Sequence, residues 1–168
     1  MMNYRRDVTS VIHISENEKE KVEGYYNVDK TIVCPDEKVT KIVANKLERL
    51  QKEDFNRVNI PKFDYITNSN AIRYRVELIK GYHLGTVSKY KDIIYEDVVE
   101  RDYDWTFDDY GLSNFVIEWK TNKIYAVDFT SYCYFPDRQK RKDSWNRYSE
   151  KNKEELKTIL NNTDIISI

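Results

Sequence analysis

The segment Asp109-Tyr-Gly-Leu-Ser-Asn114 runs directly into Phe115-Val-Ile-Glu-Trp119, and after Lys120-Thr-Asn-Lys123 the chain continues Ile124-Tyr-Ala-Val-Asp128-Phe129. Two apolar runs around a short polar turn predict a β-hairpin. Three polar residues frame it. Asp109 precedes the first strand, Asn114 follows five residues later, and Asp128 closes the second strand fourteen residues after that. Asp109 and Asn114 also suit plain turn positions, where their side chains bond nearby backbone.

Working outward, Ala71 to Ile79 reads as a strand ending at Gly81, while Val58 to Ile66 is a strand with Pro61 near its start. The polar turn Thr67-Asn-Ser-Asn70 between them gives a second hairpin. Tyr25 to Cys34 is expected to be a strand stopped by Pro35. Asp36 then caps a helix to about Lys52, with Val39, Ile42, Val43, Leu47 and Leu50 at helical spacing. Val87 to Tyr103 reads as an amphipathic helix whose stripe is Ile93, Ile94, Val98 and Val99. A last helix is expected from Trp145 to about Leu160, with Leu156, Ile159 and Leu160 along its buried edge. Helices interleaved with antiparallel hairpins make the class α+β. Met1 to Glu23 is polar and expected to be mobile in part, with Val11 to Ile14 as a short edge strand.

A length of 168 residues fits one domain, 1–168, able to bury a core without disulfides. Cys34 and Cys133 show no metal-binding spacing and fit a reducing cytosol. Arg5 and Arg6 stand in an N-terminus with no apolar core, so no signal peptide is expected. No apolar run approaches a membrane span. The 14 tyrosines suit wet, adaptable interfaces as well as cores. His13 and His83 lack a carboxylate or Cys at catalytic spacing and receive no role.

The order of these segments resembles the protein kinase-like superfamily over roughly Thr31 to Phe129. The resemblance implies a truncated kinase-like fold. Asp109 would be the catalytic Asp, Asn114 and Asp128 the metal-binding pair, and Glu77 with Leu78 the hinge presenting backbone to an adenine ring. Chemistry at such a site is positioning plus charge neutralisation. The departures are specific. Cys34 stands at the strand Lys position, which leaves the helix residue Glu48 without its partner. No Gly-rich loop exists, Phe107-Asp108 replaces the His-Arg before the catalytic Asp, and Thr130 replaces the glycine after Asp128-Phe129. About forty residues follow Asp128, too few for the family's substrate-binding helices. The expectation is a non-catalytic chain with no cofactor and no bound metal. The rival is a minimal phosphotransferase using Asp109, Asn114 and Asp128 with ATP and Mg²⁺.

The stretch from Glu96 to Asp109 carries Glu96, Asp97, Glu100, Asp102, Asp104, Asp108 and Asp109 against Arg101 alone. On the expected helix, Glu96, Asp97, Glu100 and Asp104 share one face. One helical turn is about 5.4 Å, comparable with about 3.4 Å between phosphates along one DNA strand. Tyr95, Tyr103, Trp105 and Tyr110 interleave. Such a face can stand in for nucleic acid on a basic groove; it can equally be a solvated helix surface, or a cation site at Asp108 and Asp109. The segment from Arg138 to Arg147 is the basic counterpart, suited to an acidic partner or a second copy, or again to a solvated helix start. Gln51-Lys-Glu-Asp-Phe55 has the two ends, without the inner leucines, of a peptide that docks on the sliding clamp.

In size, composition and acidic face the chain resembles the staphylococcal-phage inhibitors of the bacterial DNA sliding clamp. That resemblance implies a protein of the host cytoplasm that binds the clamp, the β subunit of DNA polymerase III. It would occupy the DNA channel through Glu96 to Asp109, contact neither nucleic acid nor membrane, and fill a wide channel as a homodimer. A structural adaptor for another host protein is the plainer alternative.

Overall fold

Alternation shapes the central strand. Ile72, Tyr74 and Val76 are buried while Arg73, Arg75 and Glu77 between them are exposed, the period-two signature of a sheet with one face on the core. The computed structural model describes residues 13–15, 18–83, 86 and 89–161. They form an α+β arrangement of nine strands and three α-helices among the described residues. β1 (His13–Ser15) and β2 (Glu18–Val33) precede α1 (Glu37–Gln51), followed by β3 (Val58–Asn59), β4 (Phe63–Thr67) and β5 (Ala71–Tyr82). α2 (Lys91–Ile94) continues into a π-helical turn, Tyr95–Val99. Then come β6 (Trp105–Phe107), β7 (Phe115–Glu118), β8 (Ile124–Ala126), β9 (Tyr132–Tyr134) and α3 (Arg138–Asn161).

The main sheet runs β1-β2-β5-β7-β8-β3, with β4 also paired to β5. β5 is its organiser. It pairs antiparallel with β2 along its length, with β4 in its first half, and with β7 at Gly81 and Tyr82. A Cβ at Gly81 would lie 2.0 Å from the carbonyl oxygen of Ile117, so only glycine lets β5 and β7 approach this closely. The predicted hairpin is present as β7–β8, with Ile117 opposite Ile124. β6 and β9 form a separate two-stranded ribbon, Phe107 opposite Tyr132.

α1 begins where Asp36 accepts a hydrogen bond from the Val39 amide at 2.9 Å, a side-chain cap worth about 1 kcal/mol. Leu47 and Leu50 are buried, but Ile42, expected on the same stripe, is exposed. The core gathers Leu50, Phe55, Ile79, Val98, Phe107, Phe115, Val116, Phe129 and Tyr132. Among the described residues no helix is long and apolar enough to cross a membrane.

Four expectations need correction. The single strand expected from Val58 to Ile66 is two, β3 and β4, on either side of Pro61, and β3 pairs parallel with β8 instead of joining the hairpin. The helix expected from Val87 to Tyr103 is confined to Lys91–Val99, its expected first residues lying outside the described ones. α3 starts at Arg138 rather than Trp145. The cue was Asp137 after Pro136: the Lys140 amide donates to Asp137 Oδ1 at 3.1 Å. Finally, residues 18–23, expected among the mobile polar ones, belong to β2. The rest of the N-terminal segment, apart from β1, and the side chains of Ile159 and Leu160 lie outside the described residues.

Candidate functional site

The acidic stretch does not lie on one helix face. The helix stops at Val99, where the Glu100 amide bonds the Tyr95 carbonyl at 3.0 Å in the wider π register. Asp97 turns inward and is buried. Its Oδ1 accepts from the Asn56 amide at 2.9 Å, and its Oδ2 from the Arg57 and Val58 amides at 2.9 and 2.6 Å. Asp97 is therefore a structural carboxylate closing the loop between α1 and β3, and is removed from the expected partner-binding set. Asp104 lies beyond the helix in an irregular segment and pairs with Arg138 at 3.2 Å, while Asp102 lies 3.9 Å from the same guanidinium. Glu96, Glu100 and Asp102 remain exposed. With Asp54 they line a cleft of about 460 Å³ together with Arg57, Arg101 and Tyr103. Asp54 was missed by the sequence argument, because only folding brings the end of α1 beside residues 96–102.

The basic segment is also partly internal. Arg141 is fully buried. Its Nε donates to the Phe135 carbonyl at 2.7 Å, Nη1 to Arg101 at 2.8 Å and Val99 at 3.4 Å, and Nη2 to Tyr103. One guanidinium thus satisfies four carbonyls where the backbone leaves regular structure. Arg138 and Arg141 hold the acidic loop in place, which removes them from a free basic patch. Phe55 is likewise buried, stacked on Phe107 at 5.4 Å between ring centres, so the residues 51–55 peptide has its aromatic end in the core.

At the second constellation, the Asp109 Oδ1 accepts from the Gly111 amide at 3.0 Å, and the Asn114 side-chain amide donates to the Asp109 carbonyl at 3.2 Å. The fold therefore brings these two together through the loop before β7. Asp128 Oδ1 accepts from the Thr130 amide at 3.1 Å and the Thr130 hydroxyl at 2.6 Å. Lys46 of α1 donates to the Thr130 carbonyl at 3.2 Å, with Cys133, Asp108 and Asp128 as its charged or polar neighbours. Burial lowers the Lys46 ammonium pKa. Partial desolvation pushes the Asp108 carboxyl up, against a hydrogen bond from Cys133 and with help from Asp109. Burial pushes the Cys133 thiol up to about 12, and the neighbouring Asp108 adds to it.

Among the described residues no three His, Cys, Asp or Glu side chains gather into a metal site. Of the two residues expected to face an adenine, Glu77 donates its amide to the Lys62 carbonyl at 2.9 Å. Glu48, offered as the helix Glu, pairs with Lys52 on the surface at 3.2 Å.

His83, which the sequence left without a role, is buried, and neither ring nitrogen has a hydrogen-bond partner of good geometry. Burial holds its imidazole below the usual range, against a weaker backbone interaction at Ser113. The folded pKa is depressed, so this stability is present above the unfolded value and is lost as pH falls through the folded one. Asp108 acts in the opposite sense, which makes the comparison with a variant the informative one. Urea midpoints measured from about pH 7.5 to about 5.5 should fall for the native chain and fall less for His83→Gln. Parallel curves would rule out His83 as the group responsible. No known protein family matches the chain, and no protein of established function is similar enough to match it.

Proposed function

We propose that the chain is a non-catalytic bacteriophage inhibitor that binds the bacterial DNA sliding clamp through an acidic surface and blocks DNA replication. The observation that carries this reading is the cleft between the end of α1 and the residues after α2. Asp54, Glu96, Glu100 and Asp102 converge there from two separate segments. Asp54, Glu96 and Glu100 form no ion pair among the described residues, and Asp102 only a distant, solvent-exposed one. Exposed pairs of that kind contribute little, so the field of these carboxylates reaches solvent. A Lys/Arg-lined channel built for duplex DNA presents the complementary potential.

The footprint differs from a linear ridge. Its members are Glu96, Glu100, Asp102 and Asp54, with Asp104 at the margin and Tyr103 supplying flat area at the rim. Asp108 and Asp109 lie apart from this cleft, at the loop before β7. A kinase-like ancestry for the core is supported by three features: α1 lies between β2 and the β4–β5 hairpin, the Asp109–Asn114 loop precedes β7, and Asp128 follows β8. In this reading the phosphotransfer role has been given up. The protein acts in the cytoplasm of the host cell, and a second copy would help to fill a ring wider than one chain.

The test uses purified clamp with the native chain and with the triple variant Glu96→Lys, Glu100→Lys, Asp102→Lys. All three side chains are exposed, so the variant should fold. Native affinity should fall on the order of tenfold or more between about 50 and about 200 mM salt, and DNA should compete. The triple variant should bind at least on the order of tenfold more weakly. Salt-independent binding, or an unaltered triple variant, would remove the electrostatic mechanism. A parallel melt with ATP and Mg²⁺ examines the phosphotransferase alternative, because a ligand selective for the native state raises its melting temperature.

A further inference from the structure

Ile42 belongs by spacing to the apolar stripe of α1, yet its side chain is 58 % exposed while Leu47 and Leu50 are buried. It lines a groove of about 660 Å³ along α1, with Lys46, Arg49 and Lys52 on the same helix and Trp105 contributed by β6. The helix positions recur every three or four residues, so they form one face, about 15 Å long from Ile42 to Lys52. Tyr134 of β9 meets Trp105 edge-on, with ring centres 5.8 Å apart, and is itself 59 % exposed. A lone exposed apolar side chain is ordinary; an aliphatic and two aromatic ones about a single groove mark a contact surface.

The carboxylates of this groove are already committed. Glu53 accepts from Arg101 and Tyr132, and Glu48 pairs with Lys52 at 3.2 Å. Arg49 forms no ion pair among the described residues. Its guanidinium lies 4.6 Å over the Trp105 ring, and stacking of this kind leaves the in-plane N–H groups to face a carboxylate. Lys46 donates to the Thr130 carbonyl at 3.2 Å and carries two further donors. We propose that the groove binds an acidic peptide segment of a partner protein. An apolar side chain of that peptide covers Ile42 and Trp105, while its carboxylates meet Arg49 and Lys46. Nucleic acid fits less well. Arg49 already lies over the ring on which a base would stack. The Glu53–Arg101 pair also separates this groove from the acidic cleft, Glu53 lining one and Arg101 the other, and the field of that cleft repels a phosphate chain. The inference does not depend on clamp binding, and its test makes no use of the clamp.

The experiment selects short random peptides from a display library on the native chain, after removing those that bind the double variant Ile42→Glu, Arg49→Gln. Both side chains are exposed, so the variant should fold, which circular dichroism checks; should it not, the two single variants serve in its place. The selected set should be enriched in Asp and Glu beside Leu, Phe or other apolar residues. Synthetic copies, followed by fluorescence anisotropy, should bind each single variant on the order of tenfold more weakly than the native chain, and rising salt should weaken them. Glu96→Lys, Glu100→Lys, Asp102→Lys should bind them at least as well as the native chain, which separates the groove from the acidic cleft. Three results would overturn the proposal: a selected set with no excess of acidic residues, acidic peptides that bind both single variants like the native chain, or oligothymidylate that displaces the peptides and binds more tightly than any of them.

Discussion

Replacing Asp97 by alanine should destabilise the fold by roughly 2–5 kcal/mol, with about 1–3 kcal/mol from the buried Val58 amide left without an acceptor and smaller shares from the part-buried Asn56 and Arg57 amides. Three amides depend on this carboxylate, those of Asn56, Arg57 and Val58, at 2.6 to 2.9 Å. Charge-assisted bonds of this kind are about twice as strong as neutral ones. They also have no substitute, because residues 56–58 form the bend that leads from α1 into β3. Against a total stability of about 5–15 kcal/mol the loss is large. Asp97→Asn should fall between the two, since its one acceptor oxygen can serve at most part of the set. Urea unfolding of the three proteins measures this directly. An Asp97→Ala unfolding free energy within about 1 kcal/mol of the native chain's would show that the loop is held by something else. The result also bears on function: any charge-reversal set that includes Asp97 would report unfolding, whereas Glu96, Glu100 and Asp102 can be reversed with the loop intact.

Asp97 also shows where sequence reasoning reaches its limit. Local signals were legible. The Asp36 cap, the strand from Ala71 and the β7–β8 hairpin all rest on neighbours within a few residues, and each is present. The apolar stripe of Ile94, Val98 and Val99 is buried as its spacing implied. Helical spacing alone put Asp97 beside Glu96 on the solvent face, because the amides that draw it inward lie about forty residues away. The same holds for Arg141, whose four carbonyl acceptors come from residues outside its helix. Of the candidate site, the acidic character of residues 96–102 was readable. The contribution of Asp54 and the loss of Asp97 were not, since both are set by tertiary packing. Asp109 and Asn114 share one turn, the Asn114 side-chain amide donating to the Asp109 carbonyl, which is the turn role their sequence also suits. Lys46 carried no signal, as a lysine on an amphipathic helix is ordinarily solvated.

Glu53→Gln should cost about 3–5 kcal/mol, the usual penalty for removing one partner of a buried ion pair. Glu53 accepts from the Arg101 guanidinium through one oxygen and from the Tyr132 hydroxyl through the other, and the Arg101 side chain is almost wholly enclosed. The guanidinium also lies 3.7 Å from the Phe55 ring centre and 4.7 Å from that of Tyr103, so the cation is stacked as well as paired. Taking away the negative charge leaves that cation desolvated with only aromatic faces for company. The pair joins three separate pieces, the segment after α1, the residues after α2, and β9. Glu100 and Asp102 flank Arg101, so the same contact fixes the rim of the acidic cleft. A double variant, Glu53→Gln with Arg101→Met, should recover about 2 kcal/mol or more of the single loss, since the stranded charge is then absent. Additive losses would mean that the two side chains are not coupled and that the rim is held by Arg141 alone. Under the proposed clamp-binding reading the binding consequence is separable from stability: measured well below the melting temperature, Glu53→Gln should weaken that binding through a displaced Glu100 and Asp102, and the double variant should not restore it fully.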